Sequence, residues 1–381
     1  MALAPAVQVV AAKMGRMRMN AVVSIVVPVY RAEHYLRGCL DALCRQTLRN
    51  IEIVCVDDGS PDACGVLLDR IAEEDDRVKV VHQANGGVSS ARNAGIAAAT
   101  GKYLMFCDCD DLYPPEYCER MTGLIESKQV DVVMSGNEYV IEDGYARDKI
   151  EKRVDDSYFN PGIVGPVDLT HDGRDGRRIN VMLWNKIFRL DLIRGFGIRF
   201  PIVERHEDDA FWMQYAMVAN SAWAVDDRYY RYRVREDSLT GAAGESAEHE
   251  RDLYVRILEF LVGFVDRNGI SPSRTWPMLW FAATSVVASI GQRLSDGDRV
   301  ALADVVYGML RKYMTPEVFV CRYDDELYYY GACEHPALGF RLEAVWYWLH
   351  GLVSTFGGTG GKWFRRSRQR MAAARLQAEL K

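Results

Sequence analysis

The stretch V-V-S-I-V-V-P-V-Y (22–30) is β-branched and apolar through almost its whole length. A strand with one wet face would alternate polar and apolar residues. A run this continuous reads as a strand buried on both faces, as in a parallel sheet. Outward from it the signal returns at I-E-I-V-C-V (51–56), V-K-V-V-H (78–82), K-Y-L-M-F-C (102–107) and D-V-V-M-S (131–135). Helical patterns lie between these runs. Residues 34–47 place Leu36, Leu40 and Leu43 on one face, and the next helix turns Val66, Leu67 and Ile71 inward. Gly86-Gly87 opens a third helix, which Thr100-Gly101 stops after about Ala99. Strands alternating with helices predict an α/β fold: an open, twisted, mostly parallel sheet flanked by helices, with right-handed crossovers. Such sheets bind ligands beyond the carboxyl ends of their strands. Here those ends carry Pro28 to Tyr30, Asp57-Asp58, and Asp108-Cys109-Asp110-Asp111.

The chain has 381 residues, and one large domain of roughly 200–250 residues with an appendage is the expected arrangement. Strand signals fade after about Gly244, so the expected division is an N-terminal extension over 1–21, a catalytic domain over 22–240 and a helical C-terminal region over 241–381. Residues 141–180 are charged and Gly-rich, as in a loop-rich insertion. The net charge of −6 argues against non-specific nucleic-acid binding by the whole chain. Nine cysteines at irregular spacing read as free thiols in a reducing compartment, which points to the cytoplasm, and no second Cys/His pair accompanies Cys107 and Cys109 as zinc would require. The apolar stretch Leu3–Ala12 precedes the charges Lys13, Arg16 and Arg18, the reverse of a secretory signal. The apolar stretches Pro277–Ile290 and Ala344–Phe356 are too short to span a bilayer.

The chemistry-bearing residues gather at the predicted strand ends. D-C-D-D (108–111) follows a buried strand directly, and continued alternation would set Asp108 and Asp110 on one face with Cys109 on the other. Two converging carboxylates call for a cation, and Mg²⁺ or Mn²⁺ take such oxygens together with substrate phosphates. Asp57-Asp58-Gly59-Ser60 reads equally as an Asp-Gly turn into a helix or as a carboxylate accepting a base N–H. Gly86 and Gly87 would let backbone approach a ligand, with Arg92 in the first turns of a helix whose N-terminus favours anions. Neither a dinucleotide fingerprint nor a P-loop is present. Glu207-Asp208-Asp209 opens an amphipathic run with Phe211, Tyr215 and Val218 inward; these acids either favour the helix N-terminus or include a general base. Arg231, Arg233 and Arg235 alternate along a basic strand that is either solvated or, at Arg233 and Arg235, in contact with a diphosphate.

Taken together, residues 23–240 resemble the family 2 glycosyltransferases of GT-A fold. The resemblance rests on V-S-I-V-V-P-V-Y, Q-T-L (46–48), V-D-D-G-S, N-G-G-V-S-S-A-R-N-A-G (85–95), D-C-D-D, W-N-K-I-F-R (184–189), E-D-D-A-F and Y-R-V-R-E-D-S-L-T, in that order. It implies an inverting transfer from a nucleoside-diphosphate-sugar, uridine being the commonest base, to a glycan or lipid-linked acceptor. Pro28 and Tyr30 would flank the nucleobase, Asp58 would hydrogen-bond it, and Arg92 would lie near the ribose or diphosphate. Asp108 would contact the ribose or a metal water, Asp110 would ligate the metal, and Asp208 would be the base. Trp184 matches a position near the acceptor or sugar, with a core role equally open. Arg31 stands where the family commonly has Asn. The Q-x-x-R-W motif of processive synthases is absent, which points to one sugar or a short series.

Two other readings compete with this one. A haloacid dehalogenase-type phosphatase also places D-x-D after a buried strand, but Asp111-Leu112 follows here and the other motifs go unexplained. A non-catalytic nucleotide-sugar-binding protein would not need Asp208. The tail carries Lys362, Arg365, Arg366, Arg368, Arg370, Arg375 and Lys381 with Trp363-Phe364 among them. It reads either as a solvated terminal helix or as a peripheral contact with an anionic inner-leaflet surface.

Overall fold

A computed structural model describes residues 8–9, 21–141, 164–169, 181–234, 246–276, 278–279, 282, 302, 305–306 and 308–313. Arg235, the basic tail and nearly all of the insertion at 141–180 lie outside the described residues. The chain divides into two compact units, one holding Met1–Leu169 with Arg177–Ala242, the other Thr170–Gly176 with Ala243–Lys381.

The first unit is built on a nine-stranded sheet of order β1-β4-β3-β2-β5-β8-β6-β9-β7. Its strands are β1 (Gln8–Val9), β2 (Val23–Val29), β3 (Ile51–Asp57), β4 (Val78–His82), β5 (Tyr103–Phe106), β6 (Val132–Ile141), β7 (Gly165–Val167), β8 (Lys186–Arg189) and β9 (Ala222–Val234). The expected parallel sheet is the run β4-β3-β2-β5. Beyond it the sheet is mixed, because β8 runs antiparallel to both β5 and β6 while β9 returns parallel to β6. β2 and β3 are buried at every position, as their unbroken apolar pattern requires.

Four helices interleave with the parallel strands or follow them: α1 (Glu33–Cys44), α2 (Cys64–Glu74), α3 (Val88–Ala98) and α4 (Tyr117–Lys128). Leu36, Leu40 and Leu43 of α1 are buried as expected. α2 takes a different phase from the expected one: it buries Cys64, Leu68 and Ile71 and leaves Val66 67% exposed. The i, i+4, i+7 spacing of the buried set is the true helical stripe. α3 lies close on β2 through Gly95, where a Cβ would come within 2.3 Å of Val26 Cγ1.

Later in the chain come α5 (Leu190–Phe196) and α6 (Glu207–Val218). α6 is not the expected amphipathic helix, since every residue from Ala210 to Val218 is buried. A helix enclosed on all sides has no polar stripe to keep. Phe200 stacks on Phe211 of α6 at 4.5 Å, and both meet Phe106 of β5 edge-on. This aromatic block fixes the start of α6 beside the carboxyl end of β5.

The second unit contains α7 (Ala247–Asn268). Ser246 caps it by accepting the His249 N–H (3.2 Å), and it buries Leu253, Ile257, Leu258, Leu261, Phe264 and Val265. Gly269 ends it at φ 60°. Among the described residues, no helix is long and apolar enough to cross a membrane.

Candidate active site

Two groups of residues form at the carboxyl edge of the parallel strands. The first surrounds Asp58, just past β3. Asp58 is 2% exposed, and its carboxylate accepts Gln83 Nε2 (2.6 Å) and the Gly86 N–H (2.9 Å) at Oδ1 and the Gly87 N–H (2.8 Å) at Oδ2. Gly87 sits at φ 83° as the cap of α3, a conformation that favours glycine. The anion expected at this helix N-terminus is therefore Asp58 itself. The two glycine N–H groups face an internal carboxylate, and the loop is closed around it. Pro28 lies within β2 opposite Val56. Tyr30, just past that strand, is 42% exposed, with the Arg31 guanidinium 5.2 Å from its ring centre. Arg31 adopts φ 51°, the left-handed region that is uncommon for such a side chain.

The second group is acidic. β5 ends at Phe106, so Asp108 to Asp111 form a turn closed by the Asp111 N–H to the Asp108 carbonyl (3.0 Å). The strand alternation expected to align Asp108 with Asp110 does not extend this far; the turn is what places both near one edge. β9 clamps the turn. Leu112 and Arg231 exchange backbone hydrogen bonds (3.1 Å each), the Arg233 N–H donates to Asp111 Oδ1 (2.7 Å), and Arg233 Nε donates to the Asp110 carbonyl (2.8 Å). Tyr230 donates its hydroxyl to Asp111 Oδ2 and accepts the Asp108 N–H. Asp111 is buried, and burial together with the Asp110 and Asp108 charges pushes its carboxyl well above the usual range against the bonds from Arg233 and Tyr230.

Arg92 of α3 joins this turn to α6. Its Nη2 donates to Asp108 Oδ1 (3.1 Å), and its Nη1 donates to Glu207 Oε1 (2.9 Å) and Asp208 Oδ1 (2.6 Å). Burial opposes the guanidinium charge, but Asp208, Asp108 and Glu207 outweigh it and hold Arg92 ionised well above its usual range. Burial pushes Asp208 up to about 8 against the pull of Arg92, with the Glu207, Asp108 and Asp209 charges adding to the rise. His206 caps α6 at φ 63°, and this left-handed residue turns the chain into the acids.

The expected site residues thus separate. Asp108, Arg92 and Asp208 come together through direct contacts. Asp110 and Arg233 sit in the same turn and its clamp. Arg233 also lies over Tyr35 (5.3 Å), and Arg231 is exposed and paired with Glu138. Trp184 is a core residue, 4% exposed and stacked on Tyr230 at 4.3 Å. Four participants were not expected: Glu207 as a ligand of Arg92, Asp111 in the turn, Tyr230 of β9 against it, and Lys186. Lys186 is fully buried over the ring of Trp212, and burial lowers its amine well below the ordinary range while Asp208 opposes that shift. Its place in W-N-K-I-F-R was the available signal, since a charged residue inside an apolar strand pattern needs a buried partner.

The donor set suits a hard divalent cation. Asp108 and Asp110 are only partly buried and offer carboxylate oxygens in a turn crowded with negative charge. No cluster of three or more His, Cys, Asp or Glu ligands occurs among the described residues. An ion held here would complete its shell with substrate and water oxygens, the habit of Mg²⁺ and Mn²⁺.

Residues 24–187 match the model of the family described as Glycosyl transferase family 2. The uncharacterized glycosyltransferase EpsJ of Bacillus subtilis is 34% identical over 223 residues, covering 58% of this chain and 64% of EpsJ. Glycosyltransferase GlyA of Streptococcus pneumoniae is 27% identical over 334 residues, covering 81% of this chain and 47% of GlyA. The match therefore spans less than two thirds of either relative. The structure of S. aureus TarS 1–349 in complex with UDP-GlcNAc shares the fold at a TM-score of 0.60 and 20% identity, covering 88% of this chain and 91% of TarS 1–349.

Proposed function

We propose, from the match of residues 24–187 to glycosyl transferase family 2, that the chain moves a hexosyl or N-acetylhexosaminyl unit from a nucleoside-diphosphate-sugar to a hydroxyl of a glycan or lipid-linked acceptor, inverting the anomeric carbon. The observation that carries this reading is the junction of the acid turn at Asp108 with Asp208 through Arg92. Inversion requires one carboxylate to take the acceptor proton while the acceptor oxygen attacks C1 and the C1–diphosphate bond breaks; no enzyme nucleophile is needed. Asp208 is that base. It keeps 19% of its side chain exposed, enough to meet a hydroxyl, while the enclosed α6 holds it still. Asp108 and Asp110 would hold Mg²⁺ or Mn²⁺, which supplies neutralising charge for the departing diphosphate. Arg233 and Arg235 are the cations proposed to face that diphosphate. Tyr30, which is exposed, and Pro28 are the residues proposed to flank the nucleobase.

Asp58 has a narrower role in this reading. Its carboxylate holds Gly86 and Gly87 in place, so it shapes the nucleotide side of the cleft. Any bond it makes to a base is additional to those three. TarS, of the same fold, is solved with UDP-GlcNAc, and uridine donors are the first class to test. The basic tail remains the proposed contact with an anionic membrane surface carrying the acceptor. Release of nucleoside diphosphate across a panel of sugar donors tests the reading. Release that depends on acceptor supports transfer, binding without release supports the non-catalytic alternative, and phosphate release from phosphomonoesters supports the phosphatase.

A further inference from the structure

The functional reading leaves open what Arg92 does. A cation near a diphosphate is ordinarily taken as its ligand, and the resemblance places Arg92 there. The geometry differs. Arg92 is 5% exposed, and both Nη atoms are engaged, on Glu207 and Asp208 from one and on Asp108 from the other. The Phe200 ring covers the guanidinium at 5.4 Å, and Nε is buried without a partner. No side is left open to a phosphate unless an ion pair opens. We propose that Arg92 is a positioning residue: it ties the base-bearing start of α6 to the acid turn after β5, and acts on the reaction through that tie rather than through contact with the donor. The proposal rests on the reading of Asp208 as base.

Neighbouring contacts reinforce the tie. Asn93, the next residue, exchanges two bonds with the Phe200 backbone, Nδ2 to the carbonyl (3.0 Å) and the Phe200 N–H to Oδ1 (2.9 Å). Arg92 and Asn93 thus hold the segment leading into α6 at two points, and Gly95 presses the same helix onto β2. Three carboxylates reached at once call for a forked guanidinium; a lysine amine on a single stem cannot span them. Buried pairs of this kind are disrupted strongly when one partner is lost, and misplacing a reacting group by about 1 Å can slow catalysis about a hundredfold.

The test compares R92K and E207Q with the wild-type full chain. Affinity for UDP in the presence of Mn²⁺ is measured by calorimetry, and turnover is measured with a donor from which the wild type releases nucleoside diphosphate. Thermal unfolding serves as the folding control. A positioning role predicts that R92K binds UDP within about threefold of wild type while kcat falls about a hundredfold. It predicts that E207Q loses about tenfold in kcat with UDP affinity kept, as one arm of the tie is released. A tenfold or greater rise in the UDP Kd of R92K with kcat held would overturn the proposal and make Arg92 a donor ligand. An unchanged kcat in R92K would overturn it equally. If R92K does not fold, E207Q decides on the same two readings. If the wild type acts on no donor, the functional reading is at fault, and the UDP affinity of R92K alone still decides whether Arg92 contacts the nucleotide.

Discussion

Two successive turns of α3 differ in how their charges are met. At its N-terminus the Asp58 carboxylate takes three N–H donors and is sealed from water. One turn further on, Arg92 faces Glu207, Asp208 and Asp108 with a single positive charge, and the turn adds Asp110 and Asp111. The first region is electrostatically complete and behaves as scaffold. In the second, burial raises Asp208 and Asp111, and the neighbouring carboxylates add to the rise. Carboxyls perturbed in this way at the edge of a parallel sheet make that region the candidate functional site.

The sharpest way to break the contrast is to remove a carboxylate from the second region. Asp110→Ala should abolish metal-dependent turnover, by about a thousandfold or more, if the ion supplies several kcal/mol at the departing diphosphate. Full activity of the wild type in excess EDTA would refute the metal assignment. Disturbing the junction comes next. Gly95→Ala puts a Cβ against Val26, which should lower unfolding free energy by about 1–3 kcal/mol. By shifting α3 it should also reduce kcat, and denaturant unfolding beside kinetics checks both. Breaking the complete region should act on binding and stability instead. Asp58→Ala leaves the Gly86 and Gly87 N–H groups unmet, and about 1–3 kcal/mol should be lost in stability and in affinity for free nucleoside diphosphate and donor alike. A loss confined to the acceptor KM would contradict that role.

The smallest effect concerns His82, which lies 3.0 Å from Asp57 and 3.1 Å from Asp69. Burial opposes its protonation, but the two carboxylates outweigh it and raise its pKa above 6.5. The stability it adds is therefore present below 6.5 and lost as pH rises through the raised value. The His82→Gln difference in stability should shrink by on the order of 0.5 kcal/mol between pH 6 and pH 8.5. A difference independent of pH would show that the ring only packs.

Much of the scaffold was legible. The continuous apolar runs gave away β2 and β3 because strands covered on both faces cannot alternate. Asp108 and Asp208 could be singled out as candidates because acids directly after a buried strand or opening a helix stand out against their neighbours. Other features were hidden for physical reasons. α6 reads as amphipathic only if its small and polar residues face water, and tertiary packing encloses Gln214 and Ala216 instead. The phase of α2 is hidden because Val66, Leu67 and Leu68 are all apolar and only packing selects among them. The turn at Asp108 ends the strand earlier than its apolar run implies. The partners of Arg92 lie far along the chain, so no local pattern could reveal three carboxylates on one guanidinium.

The most direct measurement is a paired one on Asp208→Asn, with donor affinity taken by titration and turnover from nucleoside diphosphate release. Asn keeps the shape and loses the basicity. The account predicts donor affinity close to wild type and turnover lowered at least about a hundredfold. A collapse of donor affinity with kcat held would show that Asp208 binds substrate and is not the base.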